Sequence, residues 1–84
     1  MDNYINFETY LFLGPKKFII SVNTELNREI YKKELIFDQE KKNLDLKILN
    51  DFLNENIFKI EKLLNNFVKN IYLIIDIKNF FSFQ

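Results

Sequence analysis

Leu46, Leu49, Leu53, Ile57, Ile60, Leu64 and Phe67 follow one another by threes and fours, and the unbroken run Ile71-Tyr72-Leu73-Ile74-Ile75 comes shortly after. The first spacing predicts the core face of a long helix, because three- and four-residue steps keep side chains on one side of a 3.6-residue turn. The second, apolar at odd and even positions alike, predicts a strand buried on both faces. A helix packed on a sheet is the fold these two patterns require. The helix is expected to start at Asn43 or Asp45, either of which can cap it, and to run to about Val68. Lys69 suits the negative end of its dipole, and Asn70 can take the left-handed conformation that ends helices. The strand is expected over Ile71–Ile77.

Upstream of the helix, three strands are predicted. Ile5, Phe7, Leu11 and Leu13 alternate with Asn6, Glu8 and Phe12, with Thr9 interrupting the apolar set. Gly14-Pro15, the only Gly and the only Pro, precede Lys16-Lys17 and signal a turn. Phe18, Ile20 and Val22 then share one face of a second strand, and Asn23–Asn27 forms a second turn. A third strand is expected from about Glu29 to Phe37, with Tyr31, Leu35 and Phe37 on one face. Its Lys32-Lys33-Glu34 centre is charged on both faces, which suits an edge strand that discourages foreign pairing. Asp38–Asn43 reads as a polar loop. Connections this short make an antiparallel meander, and a strand reached through a helical crossover lies parallel to its neighbour. The expected class is α+β, in the order β-β-β-α-β, with the helix on one sheet face.

The 84 residues suffice for one domain with one modest core, and 48% apolar with 29% charged residues is a globular composition. Twelve Ile, eleven Leu and ten Phe stand beside no Ala, and Arg28 is the only arginine, which points to a coding bias towards A/T-rich codons. A net charge of zero provides no broad field to steer nucleic acid or an anionic membrane to the chain. With neither Cys nor His, disulfides, zinc-thiolate sites, cysteine nucleophiles and imidazole acid–base catalysis fall away together. Absence of Cys fits a reducing compartment. No apolar run approaches the ~20 residues that span a bilayer, and the first residues lack a signal-peptide core. A cytoplasmic location is the expectation.

The order strand, Gly-turn, strand, turn, strand, long helix, apolar strand resembles the opening of the actin-like ATPase fold (an RNase H-like domain), and in particular the N-terminal part of the bacterial actin-like cell-division proteins. In that family the first hairpin reads apolar-Asp-apolar-Gly-Thr/Ser-Thr/Ser-Lys. Here Leu11-Phe12-Leu13-Gly14-Pro15-Lys16-Lys17 occupies the stretch, so Gly14 and Lys17 fall where the family has its Gly and Lys. Leu44–Ile75 is similar to the family's helix and next strand, with Asp76 where the family has a Gly. The resemblance implies a nucleotide site involving Gly14, Lys17 and Asp76. The departures argue against it: Phe12 replaces the metal-arranging Asp, and Pro15 offers no amide hydrogen to a phosphate. A relative of this kind would have lost nucleotide binding.

Other polar groups have plainer readings. Lys16 and Lys17 offer cations to a phosphate, but beside a turn, away from a helix N-terminus, the plainer reading is solvated lysines. Asp76 suits a turn cap before Lys78-Asn79. Ser21, Ser82, Thr9 and Thr24 have no histidine to activate them. Asp51 and Glu55 lie four residues from Lys47 and Lys59, the spacing of intrahelical ion pairs. Two apolar features remain. Leu44, Ile48 and Phe52 form a second row displaced from the helix stripe, and Phe58 lies almost opposite that stripe. Either the Tyr4–Phe7 segment or the C-terminal tail folds over the row, or the row is a partner surface. The ending Asn79-Phe80-Phe81-Ser82-Phe83-Gln84 carries three Phe: it pairs as a fifth strand, adds to a neighbour's sheet, or leads into a longer chain. The expected function is a non-enzymatic module, without cofactor or metal, that associates with itself or another protein. Leu44, Ile48, Phe52 and Phe58 carry one contact on this reading, and Phe80, Phe81 and Phe83 a second. An actin-like nucleotide-binding fragment is the alternative.

Overall fold

The computed structural model describes residues 6–76, which form β1 (Phe7–Leu13), β2 (Lys17–Thr24), β3 (Glu29–Ile36), α1 (Leu46–Leu64) and β4 (Ile71–Ile75). The sheet order is β3-β2-β1-β4, antiparallel across β3-β2-β1 and parallel between β1 and β4. The α+β class, the meander, the crossover helix and the charged β3 edge all follow the expectation. Ile5, Ile77 and the tail residues Phe80, Phe81 and Phe83 lie outside the described residues.

Pairing register sorts the side chains into rows that cross the sheet. Leu13, Phe18, Leu35 and Ile75 form one row; Leu11, Ile20, Lys33 and Leu73 the next; Thr9, Val22, Tyr31 and Ile71 the third. These rows face the helix, and Leu11, Leu13, Phe18, Ile20 and Val22 are buried there with Phe52, Ile60 and Leu64. Thr9 interrupts the apolar set in sequence, but it shares this face and is fully buried. Each such side chain contributes roughly 1.5–3 kcal/mol on leaving water, so this compact set stabilises the fold.

The helix starts where a cap allows. Asp45 is extended (φ −93°, ψ 105°), and its Oδ1 accepts from the amides of Lys47 and Ile48 at 3.0 and 3.2 Å. It ends a turn earlier than expected. Asn65, not Asn70, takes the left-handed conformation (φ 54°, ψ 40°), and the amides of Asn65 and Asn66 return to the Glu61 carbonyl. Phe67 therefore lies beyond the helix and is exposed. The Lys47–Asp51 and Lys59–Glu55 pairs form on the solvent side, each at 3.2 Å.

The face that α1 buries also differs from the expected stripe. Phe52, Asn56, Ile60 and Leu64, a four-residue ladder, point at the sheet; Leu49, Leu53 and Ile57 are a half-buried flank, and Leu46 is exposed. A polar residue at the centre of the ladder concealed it in the sequence. Asn56 is tolerated because both ends of its amide are satisfied: Nδ2 donates to the Phe52 carbonyl at 2.8 Å, and the Tyr31 hydroxyl donates to Oδ1 at 2.6 Å.

Candidate interaction surface

The helix rotation corrects the expected partner surface. Phe52 is buried, its ring 6.0 Å from that of Phe18, while Ile48 and Leu44 are half-buried against the same core. The sheet itself covers the row, so neither a folded-back terminus nor a partner is needed there. Phe58 does point away from the sheet, 62% exposed, with Lys62 Nζ 5.3 Å from its ring centre. Phe67 lines the same shallow depression.

Gly14, Lys17 and Asp76 are brought to one end of the sheet, since Asp76 follows β4 and its amide donates to the Leu13 carbonyl at 3.1 Å. The turn is not arranged to offer amides, however. The Gly14 amide is already donated to the Lys17 carbonyl at 3.0 Å. The Phe12 ring lies so close that a Cβ on Gly14 would meet Phe12 Cε2 at 2.9 Å. A side chain at position 14 would crowd that ring, while the glycine itself has no positive φ. The loop after β3 takes the turn's carbonyls, with Phe37 donating to Lys16 and Lys41 to Pro15 at 2.8 and 2.7 Å.

The surface that the sequence pattern misses is β4. A strand expected to be buried on both faces is a sheet edge, and Tyr72, Leu73, Ile74 and Ile75 are each 45–54% exposed. The cause is dimensional. A helix about 10 Å across covers roughly two strands spaced about 4.8 Å apart, and α1 lies closest to β2 and β3. Glu55 and Lys59 are near enough to Tyr31 on β3 to act on its phenol. Leu53 and Ile57 occupy the opposite helix flank, half-buried against the core. On the sheet's other face Tyr72 stacks on Tyr10 at 5.3 Å, and the Tyr10 hydroxyl donates to Glu8 at 2.6 Å, which raises the Tyr10 pKa. Ile74 lies beside them, half exposed.

The β4 edge also carries open backbone. Because the Asp76 amide points to β1 and backbone groups alternate sides along a strand, those of Ile74 and Tyr72 point to β1 as well. The amides and carbonyls of Ile71, Leu73 and Ile75 point outward, where no strand lies among the described residues. The sequence signal that could have located this surface is the pairing of one helix with four strands, which leaves a two-sided apolar strand with only half a cover.

Among the described residues no group of three His, Cys, Asp or Glu side chains is placed to hold a metal ion, and no helix is long and apolar enough to cross a membrane. No protein-family model, curated protein sequence or solved structure matches this chain.

Proposed function

We propose that the chain is a non-enzymatic protein–protein interaction module that docks through the β4 edge. The observation that carries this reading is the combination of half-exposed Tyr72, Leu73, Ile74 and Ile75 with the outward backbone of Ile71, Leu73 and Ile75. Apolar surface and unpaired strand groups together are what an added strand requires. Phe58 is a separate apolar point on the far side of the helix, and of the helix residues expected at a contact it is the one that remains open. Lack of Cys and His supports a cytoplasmic, non-catalytic protein, and a balanced net charge supports a protein partner over a nucleic acid.

Amide hydrogen exchange on the dilute chain tests the docking surface. The amides of Ile71, Leu73 and Ile75 should exchange rapidly, while those of Tyr72, Ile74 and Asp76 are slowed by β1. Protection of all six at the lowest workable concentration would mean that the chain covers its own edge, and the reading would fail.

Two observations favour a second reading, a divergent actin-like nucleotide-binding fragment related to the cell-division proteins: the element order is that of the resemblance, and Asp76 lies beside the Leu13–Gly14 turn. Titration with ATP and magnesium decides between them. Saturable binding abolished by Lys17→Ala would favour the nucleotide reading over the docking one.

A further inference from the structure

The geometry points to a second copy of this chain as the occupant of the β4 edge, paired antiparallel about a two-fold axis through Leu73; this rests on the docking reading above. A two-fold axis normal to the sheet keeps both helices on one face, and so requires odd-numbered residues to oppose odd-numbered ones. Centring the axis on Leu73 opposes Leu73 to its own counterpart, and Ile71 to Ile75 twice. These three residues are the ones whose amides and carbonyls point outward. In antiparallel pairing such residues exchange both hydrogen bonds, so every outward group of β4 finds a partner in this register. A shift by two residues in either direction leaves one end of the strand unpaired.

Side chains agree with the register. Tyr72 meets Ile74 of the other copy on the outer face, twice, an aromatic–β-branched pairing that extends the Tyr10–Tyr72 stack. Leu73 meets Leu73 on the helix face. No charged residue lies within Ile71–Ile75, so like charges are nowhere opposed along the strand. Beyond its ends, Asp76 of one copy comes beside Lys69-Asn70 of the other, placing a carboxylate next to an ammonium and an amide at both ends. The product is one continuous eight-stranded sheet whose outer edges are the two charged β3 strands.

Sedimentation equilibrium from low-micromolar to submillimolar protein, with hydrogen exchange on the same samples, tests the pairing. The mass should rise to twice that of the 10.3 kDa chain, with the amides of Ile71, Leu73 and Ile75 becoming protected in parallel. Leu73→Lys opposes two ammonium groups on the axis and should weaken association by at least ~10-fold while leaving the circular dichroism of the monomer unchanged. A chain that stays monomeric with these amides open overturns self-pairing and leaves the docking reading intact. A monomer with protected amides overturns both. A dimer that forms without protecting them, or that survives Leu73→Lys, places the contact elsewhere and overturns the register.

Discussion

The two edges of the sheet follow opposite rules. At β3, Lys32, Lys33 and Glu34 occupy the middle of the strand, and Lys32 pairs with Glu34 at 3.4 Å. At β4 the same rows end in uncharged residues: Lys33 and Leu73 terminate one row, Leu35 and Ile75 another. Charge on an edge strand deters pairing, because a strand added there must desolvate it or meet its like. Among the described residues one edge is therefore blunted and the other left open, and the unguarded edge carries the functional proposal. The helix reinforces the asymmetry, since Tyr31 ties β3 to Asn56 while α1 lies closest to β2 and β3.

The largest expected effect separates the covered middle from the open edge. Ile60 is fully buried over the sheet, and Ile60→Ala should cost about 2–5 kcal/mol in denaturant unfolding. A domain of this size has a total stability of only about 5–10 kcal/mol, so the variant approaches unfolding. Ile75→Ala at the open edge should cost the dilute monomer less than half as much. Equal losses would mean that β4 is covered as well as the core.

A smaller effect concerns the tie at β3. Tyr31→Phe removes the hydroxyl bonded to Asn56, leaves the buried Asn56 Oδ1 without that donor, and should cost about 1–3 kcal/mol near neutral pH. Burial pushes the Tyr31 pKa above its ordinary value of 10.0, with Lys59 opposing the shift and Glu55 adding to it. A raised pKa favours the neutral phenol in the folded chain. The contribution is therefore fully present below pH 10 and is lost as pH rises through the folded value. Alkaline unfolding curves should show that loss in the native sequence and less of it in Tyr31→Phe. The smallest effect is Phe58→Ala, less than about 0.5 kcal/mol, because the side chain is exposed opposite the core. A cost above 1 kcal/mol would show that this ring is covered within the chain.

Element order was legible because periods of two and of three to four differ plainly, and because Gly14-Pro15 and the Asp45 cap punctuate them. Two things were not. The helix face was misread, since Asn56 interrupts the ladder Ile48–Phe52–Asn56–Ile60–Leu64, and its burial depends on the Phe52 carbonyl together with the Tyr31 hydroxyl, 25 residues away in sequence. As a result Leu44, Ile48 and Phe52 looked like spare apolar surface. The exposure of β4 was hidden for the opposite reason: its residues look like core, and whether they are covered depends on how many strands one helix can span. The Gly14, Lys17 and Asp76 cluster was legible as a neighbourhood, but the Gly14–Lys17 hydrogen bond that uses up its amide was not.

The absence of native cysteine makes a direct comparison of the two edges possible. Leu73→Cys and Lys33→Cys place a single thiol at opposite ends of one row, and a short bifunctional thiol reagent then reports which edges meet. Self-pairing about Leu73 brings the two position-73 thiols together, about 5.5 Å apart at the Cα atoms, so that variant should crosslink to a dimer while the Lys33→Cys variant stays monomeric. Equal crosslinking at both positions, or crosslinking at position 33 alone, would contradict the account.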